Sequence, residues 1–376
     1  MPTSDWYVWS SRALPWGQPW DDTTPVWHPA RDRSYYGLFS PEMPDLNWRN
    51  PDVRREMFDI AQWWVQRGIA GFRLDAARYL IENGSGNGQR DQRLTREIWR
   101  ELRQALQGRA TQDEVLLLGE IWSDTATSAS YLSELQMVFG FERAFGLRQA
   151  LKQGERAPLK TRLCKELAAL RFAAASESGQ PRTPAFASFL SNHDMARFAS
   201  AISDDPRVLR LAATLLLTLP GTPYLYYGEE IGLRNGPGQG DRAQRLPMRW
   251  NSQPGFGFTP PQDLDDRADV SSPRANVSVA AQVNDPDSLL SHYRRLIQLR
   301  VKSPALSGGA TRILRSKSSG GSVLAVLRER GRSRVLIIAN ISIEPARRIE
   351  VFGAQNEGQR DLYPGLPPFG AEIIPL

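Results

Sequence analysis

The chain has 376 residues, of which 41% are hydrophobic and 23% charged, with a net charge of +6 and a single cysteine. That length and apolar content allow one large core and a small second domain. The sequence has no apolar run of about 18 residues to span a membrane as a helix, and the lone Cys164 excludes an intramolecular disulfide. The positive charge does not point to nucleic acid, because the basic residues, nearly all arginine, are scattered among acids along helix faces.

In chain order, residues 52–66 carry Val53, Met57, Ile60, Ala61 and Trp64 at helical spacing, and Gly68 ends the helix. The helix feeds a strand over 69–74. A Gly/Asn-rich loop at 83–88 precedes a second helix, 90–106, with Leu94, Ile98, Leu102 and Leu106 every four residues. Short apolar runs at 115–118, 135–139, 186–190 and 224–227 read as further strands, and 159–175 and 206–219 as helices between them. Alternating strands and helices indicate a parallel α/β sheet. From about residue 308 the texture changes to short alternating runs separated by Ser/Gly turns, which reads as a small antiparallel β domain. No Cys/His spacing suggests zinc. The Gly-rich RNGPGQGD at 234–241 reads as a mobile active-site loop rather than a phosphate cradle.

Three segments place an acidic residue after a strand-like apolar run: GFRLDAA at 71–77, LLGEIW at 117–122 and SFLSNHD at 188–194. In a (β/α)8 barrel the strands end at the rim that carries the active site, so Asp75, Glu120 and Asp194 are expected to converge there. Convergent carboxylates are the equipment of glycoside hydrolysis.

These motifs, in this order, resemble those of the alpha-amylase family of retaining glycoside hydrolases. The resemblance extends to YYGLFSPEMPDLNWRNPDVR at 35–54, whose MPDLN lies between the oligo-1,6-glucosidase-like and neopullulanase-like forms. It continues through GTPYLYYGEEIGL at 221–233, LPMRWNSQPGFGFT at 246–259 and SLLSHYRRLIQLR at 288–300. It implies a TIM-barrel type fold represented by strands four to eight, hence an incomplete barrel. Residues 1–50 would be a remnant of the excursion between strand three and helix three, 51–305 the partial catalytic barrel, and 306–376 a C-terminal β-sandwich. The first three strand-helix units, with their Asp, Asn and His motif, have no counterpart.

The resemblance also implies roles. Asp75 is expected to be the nucleophile and Glu120 the acid/base, with Asp194 binding sugar hydroxyls beside His193. Arg73, on the same strand face as Asp75, would hold it ionised. Arg78 and Trp122 are further candidates for substrate contact, although Arg78 and Tyr79 stand where the family pattern has Lys and His. Glu229 and Glu230 are expected to anchor their loop, and Tyr35, Tyr36 and Tyr226 are candidates for stacking on sugars. Calcium is the implied cofactor, with part of its oxygen cage missing. The implied substrate is an α-1,4-linked glucan or maltooligosaccharide, with neither nucleic acid nor membrane as partner. The alternative is an inactive remnant that at most binds carbohydrate, with unpaired strand edges that favour association and poor solubility. MPTSDWY resembles no signal peptide, so the cytoplasm is the default compartment, or the exterior if a native N-terminus is missing.

Overall fold

The computed structural model describes residues 4–107, 114–176, 184–260, 262, 276–356 and 358–376. They fall into two compact units, Met1–Phe139 with Leu170–Ala185 and Gly140–Ala169 with Phe186–Leu376. Among the described residues no helix is long and apolar enough to cross a membrane.

In the first unit the helix Pro51–Val65 starts where the Asn50 side chain accepts from the Asp52 amide and Pro51 occupies the first turn. Two residues past its Gln66 cap, Gly68 takes φ +93°, a conformation that costs glycine little. The helix buries Val53, Ala61 and Val65 and leaves Ile60, Trp63 and Trp64 exposed. The strand Gly71–Leu74 pairs in parallel with Leu116–Gly119, which pairs in parallel with Met137–Phe139. Gly71 is required here, since a Cβ would lie 2.3 Å from the Leu116 carbonyl oxygen. The helix Arg93–Leu106 buries Ile98, Leu102 and Leu106 of the four-residue series, leaves Leu94 half-buried and adds Thr95 and Trp99 to the buried face. It begins later than residue 90 because Gly86–Gln89 closes a 3-10 turn within the expected loop. Ahead of these elements, Trp9–Ser10, Arg33–Tyr36 and Trp27–Ala30 form an antiparallel sheet over a core of Val26, Trp27, Tyr36 and Leu38.

The second unit holds the helix Phe141–Gln153, ended by Gly154 at φ +71°, and the helix Pro206–Thr218, capped by the Asp205 side chain. Strand Ala185–Ser188 pairs in parallel with Thr222–Pro223. Among the described residues the parallel strands therefore number five, the number expected from the sequence. The last is shorter and earlier than expected: the Tyr224 amide still donates to the Ser188 carbonyl at 2.7 Å, but the chain then turns through Gly228 at φ +86°.

The C-terminal β domain is a six-stranded antiparallel sheet. Its strand Ala310–Ser319 shifts register at Lys317/Ser319 as it pairs first with Val323–Arg330 and then with Arg347–Phe352. One strand thus serves both halves of the domain, which enclose Leu314, Leu327, Leu336, Ile349 and Val351.

Three buried arginines converge on the end of the helix Pro206–Thr218, Arg328 from this domain, Arg300 from the helix Leu289–Lys302 and Arg143 from the helix Phe141–Gln153. Arg328 donates to the Thr218 carbonyl at 2.8 Å, Arg300 to Leu217 at 2.8 Å and Gly221 at 2.6 Å, and Arg143 to Pro220 at 2.6 Å. Cations there satisfy carbonyls that the helix leaves open.

Candidate active site

Asp75 follows the strand Gly71–Leu74 directly, and Glu120 follows Leu116–Gly119 directly. The register Leu74↔Gly119 therefore makes them neighbours. The pairing extends past the strand ends, with the Glu120 amide donating to Leu74 at 2.9 Å and the Ala77 amide to Glu120 at 3.2 Å. Arg73 grips both acids with one guanidinium, Nη1 to Asp75 Oδ1 at 2.7 Å and Nη2 to Glu120 Oε2 at 2.8 Å. The same Oε2 accepts from the Ala76 amide at 3.2 Å.

The two carboxyls differ in environment. The Asp75 side chain is 72% exposed and that of Glu120 only 11%. Burial raises the Glu120 pKa above the usual carboxyl range, and the charge of Asp75 with a hydrogen bond between the two acids adds to the rise. The Ala76 amide and Arg73 oppose it. A retaining pair stands roughly 5 to 5.5 Å apart, with the anomeric carbon between. Here a single guanidinium, that of Arg73, bridges the two acids.

Arg78 is buried rather than open to a ligand. Its Nε donates to Asp91 Oδ1 at 3.0 Å, its Nη2 pairs with Asp91 Oδ2, and its Nη1 donates to the Trp122 carbonyl at 2.8 Å. Tyr131 donates to the same Asp91 at 2.8 Å. The expected sugar contact thus gives way to a tie between the turn after Asp75 and the segment after Glu120. Asp91 and Tyr131, which complete the tie, were invisible in the sequence because they lie 13 and 53 residues from Arg78 in positions with no motif. The Trp122 ring is 43% exposed. Tyr36 is buried and donates to Gln89 Oε1 at 2.8 Å, a core role rather than a stacking one.

In the second unit Asp194 lies beyond the strand Ala185–Ser188, and His193 Nε2 is 3.1 Å from its Oδ2. Arg245 holds Asp194 Oδ1 at 2.8 Å, the His193 carbonyl at 3.1 Å and Asp241 Oδ2 at 3.0 Å. It caps the short helix Asp241–Gln244, four residues past the end of the Gly-rich segment 234–241 and 51 residues from Asp194, and its pairing had no local signal. Glu229 is fully enclosed, and burial raises its pKa well above the usual range, with the Glu230 charge adding to the effect. It lies within the loop it was expected to anchor, yet neither oxygen meets a hydrogen-bond partner of good geometry among the described residues.

For calcium, the described residues contain no group of three or more His, Cys, Asp or Glu side chains that could hold a metal ion. Asp75, Glu120, Asp91 and Asp194 are each engaged by arginine. Among the described residues these carboxylates do not form a cation cage.

Residues 1–309 match the family described as alpha amylase, catalytic domain. Alpha-amylase 3 of Dictyoglomus thermophilum is 30% identical over 95% of this chain and 64% of its own length. Trehalose synthase of Thermus thermophilus is 30% identical over 96% of this chain and 40% of its own. The chain thus spans less than two thirds of either relative. Among solved structures, the alpha-amylase from H. orenii is similar with a TM-score of 0.78 at 27% identity, covering 99% of this chain and 74% of the other. The isomaltulose synthase from Klebsiella sp. LX3 shares the fold with a TM-score of 0.78 at 19% identity, covering 100% and 78%. On these matches, and on three acidic residues that each follow a parallel strand, the chain belongs to the alpha-amylase family.

Proposed function

We propose that this chain is a retaining glycosidase acting on α-1,4 bonds of starch-like glucans or maltooligosaccharides, with Asp75 as nucleophile and Glu120 as general acid/base. The observation that carries the reading is the shared guanidinium of Arg73, which holds an exposed acid, Asp75, beside a buried one, Glu120, whose pKa burial raises. Two neighbouring acids in unlike surroundings, one open to solvent and one buried, are what retention needs.

In the first step an Asp75 oxygen bonds to the anomeric carbon as the glycosidic C–O bond breaks, and the Glu120 proton passes to the departing oxygen. In the second, Glu120 takes a proton from water, the water oxygen bonds to the anomeric carbon and the Asp75 ester bond breaks. A sugar hydroxyl in place of water gives transfer, in keeping with the 4-alpha-glucanotransferase of Thermotoga maritima among the similar proteins. Asp194 and His193 are assigned to sugar hydroxyls, with Arg245 orienting Asp194. Arg78 positions the turn after Asp75, and Trp122 offers its exposed ring.

A second reading, glucan binding without turnover, is favoured by the 72% exposure of Asp75, since an open nucleophile lacks the water-excluding surroundings that strengthen charge interactions. Product analysis on maltoheptaose separates the two. The first reading predicts cleavage that Asp75→Asn abolishes, while Glu120→Gln still attacks substrates with good leaving groups. Cleavage by Asp75→Asn at the parent rate overturns the first reading, and binding with no cleavage establishes the second.

A further inference from the structure

We propose that Arg197 is a positioning residue for the reaction: its guanidinium clasps both ends of the excursion 228–243 and so keeps Arg245, just past the far end, bonded to Asp194. The part that Asp194 plays rests on the function proposed above; the clasp itself rests on geometry within the second unit.

Arg197, three residues after Asp194, is 1% exposed. Its Nη1 donates to the Tyr227 carbonyl at 2.6 Å, where the excursion leaves, and its Nε to the Gln244 carbonyl at 2.9 Å, where it returns. The guanidinium carbon also stands 4.4 Å from the ring centre of Tyr226 and 4.7 Å from that of Tyr227. Both hydroxyls reach the returning strand of chain, Tyr226 donating to the Gln244 carbonyl at 3.2 Å and Tyr227 to Leu246 at 2.6 Å. The middle of the excursion is held by the Arg197 amide, which donates to Asn235 Oδ1 at 2.8 Å, and by the Asn235 amide, which donates to Ser200 Oγ at 2.8 Å. Gly228 leaves room for this approach, since a Cβ there would lie 3.2 Å from Arg197 Nη1 and 2.6 Å from Leu233 Cδ2.

The excursion has little packing of its own, because residues 237–242 are all exposed. Arg245 follows it with a side chain 42% exposed, yet it bonds Asp194 Oδ1 at 2.8 Å and the His193 carbonyl at 3.1 Å. An ion pair so open to water is too weak to order the chain that carries it. Order has to come from beneath, and the Gln244 carbonyl, adjoining Arg245 in the chain, is the point that both Arg197 and Tyr226 hold.

Burying a guanidinium is unfavourable unless its donors are met. Here Nε and Nη1 are met by main-chain carbonyls at the two ends of one excursion rather than by a carboxylate, which is the pattern of a tie between segments. The planar fork suits it, because it fixes two acceptors at a set spacing as a lysine cannot.

The test reads position and turnover separately in the full chain. Trypsin cleavage after the exposed Arg242, followed by peptide mass spectrometry, reports on the excursion and is expected to be about tenfold faster in Arg197→Met than in the parent. In maltoheptaose hydrolysis, Arg197→Met and Arg245→Ala are each expected to lose about tenfold in kcat/KM, with the double variant little worse than Arg245→Ala alone, because both changes release the same contact to Asp194. Losses that multiply, as a merely structural role would give, overturn the proposal, as does parent-like trypsin cleavage in an Arg197→Met chain whose circular dichroism matches the parent. Should Arg197→Met not fold, Arg197→Lys keeps the buried charge without the fork and is expected to show the same effects at smaller size; parent values in both measurements overturn the proposal. Failure of the catalytic assignment looks different: the parent leaves maltoheptaose uncut, while loss of the Arg197 fork still speeds cleavage after Arg242.

Discussion

The amide of Ala76 donates to Glu120 Oε2 over 3.2 Å while Ala76 itself is held at φ +46°, in the left-handed region that L-residues avoid. The residue after the proposed nucleophile thus adopts a strained backbone that presents its N–H to the proposed acid. Strain of this kind is kept where the surroundings over-determine it.

Ala76→Gly therefore removes a left-handed penalty of about 1 to 2 kcal/mol and adds glycine's entropic cost of roughly 0.5 to 1 kcal/mol. The net expectation is no change or a gain of up to about 1.5 kcal/mol in denaturant unfolding. A loss above about 1 kcal/mol contradicts it. Ala76→Pro, which cannot take this φ and lacks the N–H, is expected to unfold the turn.

Glu166 supplies a pH prediction. Burial raises its pKa to about 7 against the pull of Arg143, whose Nη1 lies 3.2 Å from its Oε2. Arg143 also serves Pro220 and Ser188, and Glu166 Oε1 has no partner. With the folded pKa above the unfolded value of 4.5, the native state holds more protons between the two. Stability is thus full below pH 4.5 and falls as pH rises to about 7, by up to about 3 kcal/mol. Glu166→Gln is expected to flatten that slope in melting curves across this window. An equal slope in parent and variant contradicts the assignment.

Arg328 tests the attachment of the C-terminal domain. Its guanidinium donates to Thr218 at 2.8 Å, Leu306 at 3.3 Å and Gly309 at 3.1 Å. Burial and the nearby charges of Arg300 and Arg143 lower its pKa to about 9. Arg328→Met leaves buried carbonyls without donors and is expected to cost about 3 kcal/mol in urea unfolding. A change below about 1 kcal/mol shows that the charge repulsion had cancelled the hydrogen bonds.

The parallel strands and the acids that end them were legible because apolar runs with a terminal carboxyl are local signals. Asp75 and Glu120 became neighbours through a register that two such runs suffice to suggest. The role of Arg78 was not legible. Whether a guanidinium faces a ligand or a buried Asp91 depends on a partner 13 residues away and on Tyr131 beyond it. Strand eight was placed too late because Tyr224 to Tyr227 have strand propensity, while the turn is forced by Gly228 at φ +86°.

The central claim is that Asp75 forms the covalent bond to sugar while Glu120 moves the proton. Trapping with a slow fluorinated α-glucosyl fluoride, followed by peptide mass spectrometry, tests it directly, since the electron-poor sugar forms the ester faster than water releases it. The account predicts one glucosyl adduct on the peptide containing Asp75, lost in Asp75→Asn. An adduct on Glu120, or turnover of maltoheptaose with no adduct at Asp75, contradicts it.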